Sequence, residues 1–112
     1  MPVPPPFRCE TDADGDVPLV RPIGELDIAT APEVDRHLQA LLDGGGQRLV
    51  LDLRGVTFMD SSGLRLILRW QEAAKQERRT FALIAGPPLV ERIFDTTRMR
   101  DLLTFVEPPG GA

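Results

Sequence analysis

The stretch of residues 49–70 constrains the fold of this chain more than any other. Residues 49–53 (LVLDL) form a short aliphatic run, which is typical of a strand buried on both faces. Residues 54–57 break that pattern, and the short polar residues 60–63 (DSSG) then stand directly ahead of apolar residues at helical spacing. Because this order marks a helix N-terminus, we predict a buried strand, a turn and a helix, with two hydroxyls at the positive end of the helix dipole.

The rest of the chain alternates between short apolar runs and amphipathic segments. Strands are predicted at residues 7–11, 17–23, 81–85 and 104–106, and helices between residues 30 and 44, from 62 to 77, from 89 to 96 and from 98 to 103. Thr30 and Glu33 fit a capping box at the start of the first helix. Pro18 and Pro22 are expected to weaken the second strand on one side or to break it with a bulge. Strands that alternate with helices imply a sheet with parallel pairs.

Length and composition indicate one ordinary globular domain, with 112 residues, 42% hydrophobic and 27% charged. Six of the eleven prolines lie near the ends, so we expect a folded unit at residues 7–107 and flexible tails at 1–6 and 108–112. The net charge of −4, without a stripe of Lys and Arg, argues against nucleic acid as a partner. The single cysteine, Cys9, and the lack of a signal peptide or a bilayer-length apolar run lead us to expect a cytoplasmic protein with no membrane partner.

Residues 60–63, the DSSG turn, support three interpretations: a plain helix cap, a nucleophilic serine, or a phosphate acceptor. A nucleophile needs a base within reach, and the only histidine, His37, lies on a different predicted helix. The G-x-S-x-G elbow is also absent, so we do not expect an enzyme. His37 has no Cys or His at ligand spacing, and the glycine run 44–46 lacks the Lys-Ser/Thr pair of a phosphate-binding loop. We therefore expect neither a metal nor a cofactor.

A phosphate acceptor suits a serine at a helix start, because the hydroxyl is exposed there and free N–H groups favour the phosphorylated form. The added charge of about −1.5 to −2 would appear next to Asp60 and, if the loops meet, near Asp27. The helix end partly stabilises that charge, whereas a partner docking on the helix would meet a steric block and charge repulsion. Such a switch acts on binding rather than on folding.

Three motifs together resemble a known family. Residues 24–27 (GELD) ahead of a helix, residues 51–53 (LDL) and residues 58–64 (FMDSSGL) resemble the bacterial anti-sigma factor antagonists built on the STAS domain, and the likeness covers roughly residues 17–106. The resemblance implies an α/β fold, the STAS fold, in which a mixed four- to five-stranded sheet has about four helices packed largely against it.

The resemblance also implies a regulatory cycle. In unmodified form such proteins bind an anti-sigma factor and displace the sigma factor that it holds. The anti-sigma factor is a serine kinase of the histidine-kinase-like ATPase type, and it phosphorylates the first serine of the turn, which is Ser61 here. A metal-dependent serine phosphatase restores the binding form. The acidic residues that the family has near the phosphorylation site match Asp27 and Asp60.

Further residues are expected to bind the partner or to lie near the phosphorylation site: Thr30, Ser62, Gly63, Arg65 and Arg69. The two arginines put positive charge on the second helix, either as a solvated face or as a match to an acidic patch on the kinase. Residues 96–99 (TTRM) stand where many relatives have a glycine after the third helix. The alternative function is that of a STAS scaffold or subunit in a stress-signalling or lipid-transport assembly.

Overall fold

A computed structural model describes residues 3, 6–13 and 15–109 as a five-stranded sheet with three helices. The strands are β1 Arg8–Asp12, β2 Leu19–Leu26, β3 Arg48–Asp52, β4 Val56–Met59 and β5 Thr80–Ile84. The helices are α1 Ala31–Asp43, α2 Ser61–Gln76 and α3 Pro88–Thr96, and a 3₁₀ turn follows at Arg100–Leu102. Of the tails predicted to be flexible, residues 1, 2, 4, 5 and 110–112 lie outside the described part of the chain.

The sheet is mixed, as predicted. Its strand order is β1-β2-β3-β5, and β4 pairs with β2. β1 and β2 are antiparallel, whereas the β2–β3, β2–β4 and β3–β5 pairs are parallel. The fourth helix of the prediction is only the short 3₁₀ turn. The sequence pattern missed β4, because Arg54 and Gly55 break the apolar run ahead of a strand of only four residues.

Pro22 divides β2 into two parts. On the edge of β2 that faces away from β1, Leu19 and Val20 pair with β3 ahead of Pro22. Pairing along that edge resumes only at Gly24, with β4. A register shift lies between Gly24 and Glu25. Proline has no N–H to donate to a ladder, which accounts for the interruption, and the expected weakening of β2 on one side is confirmed.

The C-terminal segment is less regular than predicted. Residues 104–106 form only an isolated parallel bridge, between Leu83 and Phe105, and no full strand. Arg100 holds this segment against α3, because its guanidinium lies 5.0 Å from the ring centroid of Phe105 and its Nη1 lies 3.0 Å from Glu91 Oε1. One part of the outer edge of β5 is thereby covered.

The three helices pack on one face of the sheet. Their buried side chains share one cluster with the strand residues below them: Val34, Leu38, Leu66, Ile67, Trp70, Val90 and Phe94 with Val20, Leu51 and Leu83. The Trp70 indole Nε1 donates a 2.8 Å hydrogen bond to Asp35 Oδ1, which links α2 to α1. On the opposite face, four side chains form a separate apolar cluster that no helix of the described chain joins: Leu19, Val50, Ala82 and Ile84.

Asp52, at the end of β3, is fully buried and paired with two arginines. Arg54 Nη2 and Arg21 Nε donate to Asp52 Oδ2 at 2.8 and 3.0 Å, and the Arg54 backbone N–H donates to Oδ1 at 3.0 Å. Burial acts to raise the pKa of the Asp52 carboxyl, but the hydrogen bonds from Arg54 and Arg21 outweigh it and lower the pKa. The carboxylate is thus the favoured form in the folded protein.

Replacing Asp52 by asparagine is expected to lower the free energy of unfolding by about 1.5 kcal/mol at pH 7, since both arginines are half-exposed and can be rehydrated. A lowered pKa stabilises the fold above the ordinary aspartate pKa of about 4, and this stabilisation disappears as the pH falls through the lowered value. Urea unfolding should therefore show a smaller difference in free energy of unfolding between the native protein and Asp52→Asn at pH 3 than at pH 7. Asp101→Asn, at an exposed carboxyl, is the matched control, and a difference that is constant with pH would contradict the assignment.

All three helices end in the same way. The residues after the caps, Gly45, Arg78 and Arg98, have φ angles of 95°, 56° and 59°. In each case the N–H of the following residue donates a hydrogen bond to a carbonyl of the last helical turn: Gly46 to Leu41, Arg79 to Ala74 and Met99 to Phe94. This left-handed position favours glycine, because a Cβ atom is strained there. Two arginines therefore carry backbone strain that α1 avoids.

Glycine at position 98 is expected to raise the free energy of unfolding by about 0.5–1 kcal/mol, because the strain relieved exceeds the entropy that glycine adds to the unfolded chain. Thermal or urea unfolding of Arg98→Gly measures the gain. Arg98→Ala is the control, since alanine keeps the Cβ atom and removes the rest of the side chain. Equal effects of the two variants would show that strain at position 98 is not the cause.

Candidate functional site

Two of the motifs meet at the carboxyl ends of β2 and β4. Leu26 and Met59, the last residues of these parallel strands, are register partners. The Asp60 backbone N–H donates to the Leu26 carbonyl at 3.3 Å. Because Asp27 and Asp60 directly follow these partners, the loop after β2 and the DSSG turn are neighbours at one edge of the sheet.

Asp60 caps α2. Its backbone is extended, and its Oδ1 accepts a hydrogen bond of 2.8 Å from the Ser62 N–H. Ser61 is the first residue of the helix, and its side chain is exposed. The predicted start of the helix is thus confirmed to within one residue. The first turn of a helix leaves backbone N–H groups without intrahelical acceptors, so a group attached to Ser61 lies at the positive end of α2.

Gly63 allows α2 to begin in close contact with the sheet. It is buried, and a Cβ atom at this position would lie 2.5 Å from Met59 Cγ and 3.0 Å from Leu26 Cγ. Real Cβ atoms do not approach other heavy atoms so closely, so a side chain here would push the start of the helix away from both strands. The absence of a side chain at Gly63 therefore allows the first turn of α2, which includes Ser61, to lie close to the ends of β2 and β4.

Asp27 and Thr30 fix the loop between β2 and α1. Asp27 Oδ1 accepts hydrogen bonds from the N–H groups of Ala29 and Thr30, at 2.9 and 3.1 Å. Thr30 Oγ1 donates to the Glu25 carbonyl at 2.7 Å and accepts from the Asp27 N–H at 2.9 Å. The Thr30 hydroxyl thus turns back to β2 and makes no capping bond to α1, so the predicted capping box with Glu33 is wrong. Ile28 and Ala29, between Asp27 and Thr30, are both exposed.

Ile28 is a candidate contact residue that the sequence patterns did not indicate. Ile28 is 77% exposed. The signal in the sequence is a large aliphatic residue inside an otherwise small and polar turn, between Asp27 and Ala29. An exposed aliphatic side chain on a rigid loop is suited to insertion into a partner.

A groove of ≈740 Å³ runs between α1 and α2, beside the DSSG turn. It is lined by Ile28, Ala31, Pro32, Asp35, Ser62, Arg65, Leu68, Arg69 and Glu72. Three residues of the predicted site, Ser62, Arg65 and Arg69, therefore line one groove, and the exposed Ser61 directly precedes Ser62. Apolar side chains share the lining with two arginines and two carboxylates, a mixture typical of a protein-binding surface.

Within residues 3, 6–13 and 15–109, no group of three or more His, Cys, Asp or Glu side chains is placed to hold a metal ion. In the same part of the chain, no helix combines the length and the apolar character that crossing a membrane requires.

Sequence comparison with known proteins identifies the family. The family described as "Mlab, STAS domain" matches residues 9–104. An anti-sigma-B factor antagonist of Staphylococcus epidermidis is 31% identical over 97 residues, which cover 87% of this chain and 90% of that protein. The chain belongs to the STAS domain family of anti-sigma factor antagonists.

Solved structures show the same fold. A crystal structure of an anti-sigma factor antagonist from Mycobacterium paratuberculosis superimposes with a TM-score of 0.76 at 22% identity, over 93% of this chain and 88% of that one. The Bacillus cell fate determinant SpoIIAA, in its phosphorylated form, superimposes with a TM-score of 0.65 at 19% identity, over 90% and 91% of the two chains.

Proposed function

We propose that this protein is an anti-sigma factor antagonist, and not an enzyme, controlled by phosphorylation of Ser61. In unmodified form it binds an anti-sigma factor serine kinase of the histidine-kinase-like ATPase type and frees the sigma factor which that kinase holds. The kinase then phosphorylates Ser61, binding is switched off, and a metal-dependent serine phosphatase restores it. The observation that carries the proposal is the exposed Ser61 side chain at the first position of α2, beside the α1–α2 groove.

The position of Ser61 suits a modification that changes binding and leaves the fold intact. A phosphoryl group there would lie at the positive end of α2, which partly offsets its charge of about −1.5 to −2. Asp60 and the Asp27 loop already put negative charge on this edge of the sheet. A docked partner would therefore meet a locally concentrated negative charge next to the groove, where the unmodified protein has only a hydroxyl.

Related proteins support the two halves of the proposal separately. The relative from Staphylococcus epidermidis carries the name of an anti-sigma-B factor antagonist, which supports the class of partner. The Bacillus protein of the same fold was solved in a phosphorylated form, which supports regulation by phosphate. The assignment of the phosphate to Ser61 in this chain rests on the exposure of that side chain and on the match to the DSSG motif.

Phosphate uptake with the cognate anti-sigma factor kinase and ATP tests the proposal. We expect one phosphate, located at Ser61 by mass spectrometry, and no uptake by Ser61→Ala. Ser62→Ala is the matched control, because Ser62 adjoins Ser61 but lines the groove, and it should still take up one phosphate. Uptake that survives Ser61→Ala, or that requires Ser62, would contradict the assignment. Copurification with a permease or a large homo-assembly in place of the kinase would favour the STAS scaffold or lipid-transport subunit.

A further inference from the structure

A second cavity, of ≈850 Å³, lies on the sheet face opposite the helices. Its floor consists of the side chains of the separate apolar cluster, Leu19, Val50, Ala82 and Ile84. The connection between β1 and β2 lines one side and the C-terminal segment lines the other. From the floor the cavity reaches the C-terminal end of α2, and its volume is in the range of small-molecule sites, about 300–1,000 Å³. We call it the sheet-face cavity.

Three cationic side chains line the sheet-face cavity: Arg48, Lys75 and Arg79. Arg48 and Thr80 pair at the starts of β3 and β5, and Arg79 directly precedes Thr80. Arg48 and Arg79 therefore lie at the amino-terminal end of these strands, and Lys75 lies in the last turn of α2, which precedes β5. Three carboxylates also line the cavity, but they lie on its two flanking segments: Asp12 and Asp16 on the β1–β2 side, and Glu107 on the C-terminal side.

Arg79 is the polar group of this cavity whose bonding is incomplete. Its side chain is only 4% exposed, and its Nη2 lies 2.7 Å from Glu77 Oε2. Its Nε and Nη1 are buried and have no hydrogen-bond partner among the described residues. A buried charged donor without an acceptor is costly. Because Arg79 belongs to the cavity lining, an anion or polar group bound there would supply an acceptor. Gln71 Oε1, also unpartnered in this part of the chain, lies on the same lining.

Strand geometry places the apolar floor in line with the cationic end. Alternate residues of a strand share one face, so Val50 follows Arg48 on β3, and Ala82 and Ile84 follow Thr80 on β5. From Thr80 to Ile84 the floor extends about 13 Å along the strand direction. The cavity thus offers positive charge at one end and aliphatic contact along its length.

We propose that the sheet-face cavity binds a small amphipathic anion, with a carboxylate or phosphate head group and an apolar tail. The head group accepts hydrogen bonds from Arg79 and lies near Lys75 and Arg48. The tail lies along Val50, Ala82 and Ile84. Ser61 stands at the carboxyl ends of the parallel strands, whereas this site begins at their amino ends, so the inference does not depend on the proposed kinase switch.

Titration of the full-length ¹⁵N-labelled chain with decanoate and with monodecyl phosphate tests the site, and decanol serves as the uncharged probe with the same tail. We expect saturable shifts of the amide signals of Thr80, Ala82 and Val50, and decanol should bind at least about tenfold more weakly than either anion. Lys75→Gln should weaken both anions about three- to tenfold and leave decanol unchanged. Lys75 is chosen because it is exposed, whereas a change at the buried Arg79 risks unfolding.

Arg36→Gln, which removes an exposed cation from α1, is the matched control and should not alter binding. The proposal is overturned if millimolar decanoate and monodecyl phosphate give no saturable shift, if decanol binds as well as the anions, or if the shifts map to the α1–α2 groove. The anionic head groups of a membrane surface offer the same chemistry as the free anions, and sedimentation with phosphatidylglycerol vesicles tests for binding to them. Binding to the vesicles without binding to the free anions would show a membrane-surface contact and would also overturn it.

Discussion

Replacement of Ser61 by aspartate is expected to weaken binding of the anti-sigma factor kinase by at least about 100-fold, which corresponds to about 2.7 kcal/mol. The new carboxylate would stand next to Asp60 and close to the Asp27 loop, at the end of the groove lined by Ile28 and Arg65. A partner surface that accepts the neutral Ser61 side chain would have to desolvate this carboxylate or face it with negative charge, and both cost several kcal/mol.

The same substitution should leave the fold unchanged, which separates loss of binding from loss of structure. An acidic side chain in the first turn interacts favourably with the helix dipole, and Ser61 is exposed. We therefore expect the free energy of unfolding of Ser61→Asp to stay within about 0.5 kcal/mol of the native value. Isothermal titration calorimetry with the kinase and urea unfolding of the variant measure the two quantities on one preparation.

Two control variants show whether the charge at position 61 causes the loss of kinase binding by Ser61→Asp. Ser61→Ala keeps position 61 uncharged and should bind the kinase as the native protein does, without being switched off by ATP. Gln76→Glu adds one negative charge at the opposite end of α2, away from the groove, and should change binding less than about twofold. If Gln76→Glu weakened binding as much as Ser61→Asp, net charge rather than the charge at the phosphorylation site would be responsible.

The parts of the site that the sequence predicted are those decided by local chemistry. Asp60 caps α2 because its side chain can reach the N–H two residues ahead, whatever surrounds the helix. The glycines after α1 end it for a similarly local reason. The alternation of buried strands with amphipathic helices predicted a sheet with parallel pairs, whereas the mixed STAS sheet was implied by the family resemblance.

The parts that the sequence did not predict depend on contacts between distant residues. The Thr30 hydroxyl oxygen accepts from the Asp27 N–H in place of an N–H in the first turn of α1, while the hydroxyl proton is donated to the Glu25 carbonyl at the end of β2. Ile28 is exposed because Asp27 and Thr30 hold the loop outward, which no periodicity expresses. β4 pairs with β2 beyond Pro22, and its four residues, although three of them favour strands, are too few to show a periodic pattern by themselves.

Alanine at Gly63 is expected to lower the free energy of unfolding by about 2 kcal/mol. Alanine favours a helix interior over glycine by about 1 kcal/mol, but a Cβ atom 2.5 Å from Met59 Cγ and 3.0 Å from Leu26 Cγ costs about 3 kcal/mol, so the overlap decides the sign. Because these neighbours belong to the ends of β4 and β2, relief of the overlap moves the start of α2. Ser61 moves with it, and the kinase should phosphorylate Gly63→Ala more slowly even where the variant is folded.

Two further variants test whether steric overlap at Gly63, and not the replacement of a glycine by alanine as such, causes the loss of stability. At Gly44 a Cβ atom would meet only the carbonyls of Ala40 and Leu41, both at 3.5 Å. The free energy of unfolding of Gly44→Ala should therefore lie within about 0.5 kcal/mol of the native value. In a Met59→Ala background the atom nearest to the new Cβ is removed, and Gly63→Ala should then cost less than about 1 kcal/mol beyond Met59→Ala alone. Additive costs of Met59→Ala and Gly63→Ala would mean that Met59 does not set the position of α2. The close approach at Gly63 would then not be what holds Ser61 at the edge of the sheet.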